Sequence, residues 1–345
     1  MQREQGGIVV NEGKLREAIS VFVGEITDID SIGTGNICDT WLVSAGRGKY
    51  VARLRPIGFT RAHVEADQRL LLWLAERGFP VARVVSSPFS FVVSVEGRWL
   101  EVQEWVSHDS VYGEDDDQYR DKLPELAKLQ GQFHALTQEY PEQITKPERL
   151  GATPIGFMAK YFEDPIKVGM ARYRQVAPED RKLMQLVAWF EKQLLSIREQ
   201  ILSALPSLPE VVNHNDFILE NLLWEQDKVA ALIDFDFACS GPHYIDLVEG
   251  VHGAAVFNGK ELVHWGIDSD GSVRFEEGRA YLNAYFQEFS CPGFDSELFA
   301  KFLQAKVISL NFYPAFDFAD TGVKMAENAR RLRLLVENLS DKQLY

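Results

Sequence analysis

Cysteine is scarce in this chain, whose 345 residues include three, Cys38, Cys239 and Cys291, far apart and odd in number. Such a set forms neither a disulfide framework nor a zinc-binding pattern, and it is typical of proteins in a reducing compartment. No apolar run approaches the ~20 residues that a membrane-spanning helix needs. Residues 1–5 also lack the hydrophobic segment of a secretory signal. We therefore expect a cytoplasmic protein with no membrane partner.

Positive charge is also in short supply, because 36 Lys and Arg stand against 51 Asp and Glu, a formal net charge of −15. Nucleic-acid binding driven by electrostatics needs a basic face, so we expect no nucleic-acid partner. Hydrophobic residues at 46% and charged residues at 25% are the proportions of an ordinary folded protein. At ~150 residues per domain, this length predicts about two domains.

The first hundred residues alternate between strand and turn signals and contain one helical pattern. Leu70, Leu71 and Leu74 form an apolar stripe at helical spacing, and Gly78 is placed to end that helix. The predicted order is β-β-β-α-β-β, with strands at 24–31, 40–43, 50–54, 89–95 and 98–106 and the helix at 61–77.

An acidic segment, residues 109–117, ends this pattern and is the best candidate for a domain boundary. Beyond it, apolar residues recur at helical spacing over 123–136 and 181–205. Residues 222–235 have the alternation of a β-hairpin, and helical patterns resume after it. We therefore predict a first domain of residues 1–106 and a largely helical second domain of residues 107–345.

The most informative motif lies in this second region. His214, Asp216 and Asn221 are spaced as H-x-D-x4-N, and Asp234 and Asp236 follow the hairpin. Protein kinases have this spacing in their catalytic loop and metal-binding Asp. Mg²⁺ prefers oxygen ligands, and a carboxylate held clear of the metal accepts the proton of an attacking hydroxyl. We therefore predict Asp216 as the catalytic base and Asn221 and Asp234 as Mg²⁺ ligands, with Asp236 a candidate for a second metal.

A glycine-rich turn between two predicted strands is a candidate phosphate-binding loop. Its glycines let backbone N–H groups approach phosphate oxygens, although an ordinary hairpin turn has the same composition. The loop leads into no helix and has no Lys-Ser/Thr pair, which disfavours a P-loop and a dinucleotide-binding fold. The candidate cofactor-binding residues are Gly33, Thr34, Gly35 and Asn36.

An arginine occupies the strand position at which protein kinases carry the lysine of Val-Ala-Ile-Lys. Arg53 can hold phosphate oxygens through two parallel hydrogen bonds, so the charge role is kept. Glu65, in the first turn of the following helix, is its predicted ion-pair partner. Arg55 lies on the same strand face and is the alternative phosphate-binding residue.

These motifs resemble the aminoglycoside phosphotransferase and choline kinase family of small-molecule kinases, which also includes type II homoserine kinases and N-acetylhexosamine kinases. The segments that carry the resemblance are 213–221, 233–236 and 241–247. It implies an α+β, bilobal protein-kinase-like fold, with a small N-terminal antiparallel sheet lobe containing one helix and a larger, mainly helical C-terminal lobe. It also implies ATP at the cleft, with adenine hydrogen-bonded by the backbone at Glu104 to Val106, and a mainly structural Asp246. Two departures are Asn215, where many relatives have Gly, and Arg53, where Lys is commoner.

The resemblance implies an enzyme that uses ATP and Mg²⁺ to phosphorylate a hydroxyl of a small metabolite: an amino alcohol, an amino acid such as homoserine, a sugar or an aminoglycoside. A catalytically weak, nucleotide-binding regulatory module is the alternative, and a metal-dependent hydrolase using His214, Asp216 and Asp234 is a third possibility. Asp317 and Asp320 are candidates to meet an amine of the acceptor. Monomer and homodimer both remain open.

Overall fold

A computed structural model describes residues 10–34, 38–46, 48–112, 118–147, 162–176, 178–256, 272–312 and 322–341. The chain divides into two compact units. The first unit consists of Met1–Val111, Glu142–Pro147 and Glu220–Ala238, and the second of Tyr112–Pro141, Glu148–Leu219 and Cys239–Tyr345. Two later segments of the chain are therefore built into the N-terminal unit.

An antiparallel sheet forms the centre of the first unit. Strand β6, which is Arg98–Glu104, pairs with three neighbours, and the order is β1-β2-β3-β6-β4 with β5 paired to β6. The remaining strands are β1 (Ile26–Thr34), β2 (Asp39–Ala45), β3 (Gly48–Leu54), β4 (Val84–Val85) and β5 (Val93–Val95).

Two strand predictions need correction. The strand predicted at 89–95 is confined to β5, because Ser87 and Ser90 close a turn in which Ser87 Oγ donates to the Ser90 carbonyl at 2.7 Å. The short strand β4 was not predicted, and β6 ends two residues before the predicted 106.

Two helices accompany the sheet, α1 (Glu12–Val23) and α2 (Arg61–Glu76). Helix α2 was predicted, and Thr60 caps its N-terminus through a hydroxyl that accepts from the His63 N–H at 3.2 Å. Helix α1 was not predicted, so the unit has one helix more than expected. Its signals are a capping Asn11 and an apolar face that packs into the core of the sheet.

The predicted hairpin is present in the first unit as β8 (Leu222–Glu225) and β9 (Lys228–Leu232), with β7 preceding it in the second unit at Glu210–Asn213. Its turn residues Gln226 and Asp227 both have positive φ, at 50° and 62°, as a two-residue hairpin turn requires. The Leu232 N–H donates to the Pro80 carbonyl at 2.8 Å, which joins the hairpin to the rest of the unit.

Helices dominate the second unit, and both predicted helices are confirmed. Where the helix that contains Gly131 crosses the helix that contains Tyr285, a Cβ on Gly131 would lie 2.5 Å from the Tyr285 carbonyl oxygen, so only glycine permits this close approach. The helices are α3 (Tyr119–Thr137), α4 (Ala171–Val176), α5 (Arg181–Ala204), α6 (Tyr244–Ala255), α7 (Phe275–Glu288), α8 (Ser296–Asn311) and α9 (Gly322–Asp341).

A two-stranded antiparallel sheet of β7 and β10 (Cys239–Pro242) completes the regular structure of the second unit. The predicted α+β class, with an N-terminal antiparallel sheet and a helical C-terminal part, is confirmed. Among the described residues, no helix is both long and apolar enough to cross a membrane.

Candidate active site

Asp216 lies in a tight loop of the second unit that follows strand β7. The preceding Asn215 has φ 62°, a left-handed conformation that Asn adopts more readily than most residues other than Gly. The Ile218 N–H donates to the Asp216 carbonyl oxygen at 3.0 Å. Asn215 therefore supplies the backbone conformation of this turn.

A set of hydrogen bonds to the Asp246 carboxylate, which we call the Asp246 network, holds the backbone of this loop. The carboxylate of Asp246 accepts from the backbone N–H of His214 at 3.0 Å and from that of Asn215 at 2.8 Å. His134 Nε2 lies 3.0 Å from Asp246 Oδ2, and its Nδ1 lies 2.7 Å from the Tyr285 hydroxyl. The structural role expected for Asp246 is thus that of an acceptor for two consecutive backbone donors.

His214 is a packing residue of the same loop. Its ring is buried and makes edge contacts with Phe133 and Phe217, at centroid distances of 6.4 Å and 5.7 Å. Phe217, which follows Asp216 in the chain, is therefore packed in an aromatic core.

Asn221 and Asp234 lie together in the first unit. The Asn221 carbonyl accepts from the Ile233 N–H at 2.9 Å, so one predicted metal ligand is bonded to the residue that precedes the other. Asp234 has φ 65°, an uncommon conformation for a non-glycine residue, and 39% of its side chain is exposed. Strain of this kind often occurs at functional sites.

Asp234 belongs to a network of ions, most of them buried, that we call the arginine cluster. Arg53 Nη2 donates to Asp234 Oδ1 at 2.8 Å and to Asp236 Oδ1 at 2.9 Å. Arg55 binds Asp236 as well. The cluster contains three cations and four carboxylates: Arg53, Arg55, Lys146, Asp67, Glu101, Asp234 and Asp236.

Arg53, Arg55 and Asp236 hold one another in the ionised state, whereas burial raises the pKa of Asp67 and of Glu101. Burial opposes ionisation of Asp236, but Arg53 and Arg55 outweigh burial and hold the pKa of Asp236 well below its usual range. Burial raises the pKa of the Cys38 thiol, which donates to Asp236 Oδ2 at 2.9 Å. Both oxygens of Asp236 are therefore occupied by protein donors.

The predicted ion pair between Arg53 and Glu65 is wrong. Glu65 Oε1 instead accepts from Arg61 Nε at 2.8 Å, four residues earlier on α2. The acid that α2 contributes to the cluster is Asp67, two residues further and about 200° around a helix of 3.6 residues per turn. Its signal in the sequence is its spacing from Val64 and Leu74, which places an acid on the buried face.

Lys146 was missed, and no local pattern indicates it. Its Nζ is buried and donates to both Asp67 carboxylate oxygens, at 2.5 and 2.6 Å, and to the Phe235 carbonyl at 3.0 Å. Lys146 thereby joins helix α2 to the segment that carries Asp234 and Asp236.

The other predicted cofactor-binding residues that the structure describes are on β1 and at or after the end of β6. Gly33 and Thr34 end strand β1, opposite Thr40 and Asp39. The N–H of Glu104 donates to the Arg83 carbonyl at 2.8 Å, and the Val106 carbonyl lies 2.9 Å from His108 Nδ1. The residues outside the described ranges are Gly35, Asn36, Asp317 and Asp320.

The chain belongs to the phosphotransferase enzyme family APH, whose model matches residues 28–290. It is thus a small-molecule kinase by class. A homoserine kinase of Caulobacter vibrioides is 23% identical over 248 residues, which cover 71% of this chain and 68% of that protein.

Solved structures agree with this fold assignment. A microcompartment-associated aminopropanol kinase matches with a TM-score of 0.65 and 16% identity, over 95% of this chain and 97% of its own. An amicoumacin kinase in complex with AMP-PNP, Ca²⁺ and Ami matches with a TM-score of 0.60 and 15% identity, over 97% and 94%. Aminoglycoside phosphotransferases and choline kinases are also among the similar structures, so the predicted family resemblance is confirmed.

Proposed function

We propose that this phosphotransferase moves the γ-phosphoryl group of ATP to a hydroxyl of a small metabolite in a Mg²⁺-dependent reaction. The observation that carries the proposal is the Asp234 loop, in which a partly exposed carboxylate on a strained backbone is contacted by Arg53 and the preceding Ile233 N–H is bonded to the Asn221 carbonyl. This arrangement supplies oxygen ligands and a phosphate-binding cation within one unit.

Asp216 acts as the base. Its carboxylate accepts the proton of the acceptor hydroxyl while the hydroxyl oxygen bonds to the γ-phosphorus. The bond between the γ-phosphorus and the β–γ bridging oxygen breaks, ADP leaves with that electron pair, and the proton passes from Asp216 to water. The Asp246 network supports this role because it fixes the backbone immediately before Asp216.

Asn221 and Asp234 would hold the metal. One amide oxygen and one partly exposed carboxylate fit Mg²⁺, which usually keeps several waters and takes few protein ligands. When bound, Mg²⁺ neutralises charge on the phosphates. Asp236 is not assigned a metal, because both of its oxygens are taken by Arg53, Arg55 and Cys38.

Arg53, rather than Arg55, is the proposed phosphate-binding residue. Arg53 contacts Asp234 directly, whereas Arg55 is fully buried among Asp67, Glu101 and Asp236. Further contacts to ATP are assigned to the glycine-containing segment Gly33, Thr34, Gly35 and Asn36 and to the backbone at Glu104 and Val106. Glu65 is paired with Arg61 on α2 rather than with Arg53, so it is not assigned a contact to ATP.

A turnover assay with purified protein tests the proposal. We expect ADP release that requires Mg²⁺ and an acceptor, drawn from a panel of amino alcohols, hydroxyl amino acids (including homoserine, the substrate named for the Caulobacter relative), sugars and aminoglycosides. Asp216→Asn should lower kcat by roughly 10²–10⁴-fold, while Glu199→Gln, an exposed acid of α5, should leave it unchanged. ATP binding without transfer to any acceptor would favour the regulatory module, and full activity of Asp216→Asn would contradict the assigned base.

A further inference from the structure

The second unit contains a cavity of about 180 Å³, and Phe217, the residue that follows Asp216 in the chain, lines it. Phe217 and Ile218 contribute to its wall, together with residues of α3, α6 and α8. The Ile218 N–H donates to the Asp216 carbonyl oxygen at 3.0 Å, so this part of the cavity wall is tied to the loop that carries the proposed base.

Two opposite charges face the cavity. Glu249 of α6 and Lys306 of α8 form an ion pair, with side chains that are 16% and 6% exposed. His252 also lines the wall, and burial together with the neighbouring Lys306 ammonium lowers the pKa of His252 to about 3, so its ring is neutral near pH 7. Among the described wall residues, Glu249 and Lys306 therefore carry the charge.

A buried ion pair is rarely the most stable way to fill a core, since removing both ions from water costs much of what their attraction returns. Placed at a cavity wall, the pair offers an ammonium and a carboxylate to a ligand that carries the same two groups. The carboxylate of such a ligand binds Lys306 and its ammonium binds Glu249, so every charge keeps a partner.

The other acceptor classes match this wall less well. A polycationic aminoglycoside needs several acids, whereas Glu249 is already neutralised by Lys306. A sugar carries no charge for either group. The volume also favours a small ligand, because a cavity of ~150 Å³ holds benzene and drug-sized ligands take ~300 Å³ or more.

We propose that this cavity is the acceptor site and that it takes a zwitterionic α-amino acid with a side-chain hydroxyl, bound through Lys306 and Glu249. The inference rests on the proposed kinase function. The reaction is the same transfer: the side-chain oxygen bonds to the γ-phosphorus, ADP leaves, and the hydroxyl proton passes through Asp216 to water.

The first test uses the unmodified protein and a ladder of acceptors that differ by one charge. L-homoserine is the probe, 3-amino-1-propanol lacks its carboxylate, 4-hydroxybutyrate lacks its ammonium, and glucose lacks both. We expect kcat/KM for L-homoserine to exceed that of each analogue by at least roughly tenfold, the effect of one charged hydrogen bond. Equal or better use of any analogue, or phosphorylation only of other acceptors in the wider panel, overturns the assignment and leaves the kinase function intact. No phosphorylation of any acceptor in that wider panel overturns the kinase function itself.

The second test assigns the residues. Lys306→Met and Glu249→Gln should each raise the KM for L-homoserine by roughly 10- to 100-fold, with an unchanged KM for ATP, and Lys306→Arg should recover part of the loss. Lys306→Met should also reduce the ratio of kcat/KM for L-homoserine to kcat/KM for 3-amino-1-propanol. A merely structural role of Lys306 would leave this ratio unchanged. Lys301→Met, on the same helix α8 and outside the cavity wall, is the matched control. An unchanged acceptor preference in folded Lys306→Met overturns the proposal.

Discussion

Two loops carry the proposed catalytic carboxylates, and the protein holds them by different means. The arginine cluster surrounds Asp234 with buried charges of both signs, whereas the Asp246 network holds the Asp216 loop through backbone N–H donors and a histidine. Both loops contain a non-glycine residue with positive φ, Asp234 at 65° and Asn215 at 62°.

The proposed roles of the two loops account for this difference. Phosphates and Mg²⁺ bring charge, so a cluster that already balances arginines against carboxylates can exchange a protein contact for a ligand contact at Arg53 and Asp234. A base only needs its position and a proton path, which hydrogen bonds to the backbone supply. The ionic loop should therefore be the more sensitive to loss of a partner, and the hydrogen-bonded loop the more sensitive to changes of backbone conformation.

Removing Lys146 should have the largest effect on stability. Lys146→Met leaves Asp67 buried with one cation fewer, so we expect the free energy of unfolding to fall by about 3–5 kcal/mol. Urea denaturation measures it, and Arg69→Met is the matched control. Arg69 and Glu142 join the same helix and the same segment through an exposed pair, for which about 1 kcal/mol or less is expected. Equal losses in the two variants would remove the distinction between buried and exposed pairs.

Asp246→Asn should have the next largest effect. The amide keeps the shape but replaces one of two acceptors with a donor that faces a backbone N–H, so we expect a loss of about 1–3 kcal/mol. Because the loop before Asp216 shifts, kcat should fall while the KM for ATP stays the same. A raised KM for ATP with unchanged kcat would contradict the assignment of this network to the base.

Acidification should weaken the second unit before the arginine cluster. Burial, followed by the nearby His134, lowers the pKa of His243 to about 3, and His252 is lowered to about 3 as well. The unfolded chain protonates these rings below its ordinary pKa of 6.5, so their contribution to stability is present above pH 6.5 and is lost as the pH falls. Between pH 7.5 and 5.5 we expect about 1.4 kcal/mol lost per histidine.

Urea denaturation at these two pH values measures the loss, and His243→Gln should reduce the pH dependence by about half. Asp236 has its pKa lowered, so its contribution is present above the ordinary value of 3.8 and is lost only below it. A pH-independent free energy of unfolding down to 5.5 would show that these rings are not held neutral.

Asn215 offers the smallest and most local test. Asn215→Gly keeps access to φ 62°, whereas Asn215→Ala forces a Cβ with no polar group into a left-handed conformation. We expect the Ala variant to be less stable than the Gly variant by about 1 kcal/mol and to have the lower kcat of the two. If Ala were the more stable of the two, the left-handed turn would not be a requirement of the Asp216 loop.

Much of this protein could be predicted from short-range patterns. The spacing of Asp216, Asn221 and Asp234, the periodicity of α2 and α5, and the turn of the β8–β9 hairpin are local signals, because capping, turn chemistry and helical spacing act over a few residues. The α+β class and the family resemblance follow from these signals, and the family match confirms the resemblance.

The ion-pair partners depend on contacts that the chain makes only when folded. Arg53 meets Asp236, which lies 183 residues further along, rather than Glu65, which lies nearby in the chain. Lys146 enters the cluster from a separate segment, and the cavity with Glu249 and Lys306 is built where α3, α6 and α8 meet. Periodicity determines which face of an element is buried, but strand pairing and helix packing decide which buried charges end within hydrogen-bonding distance.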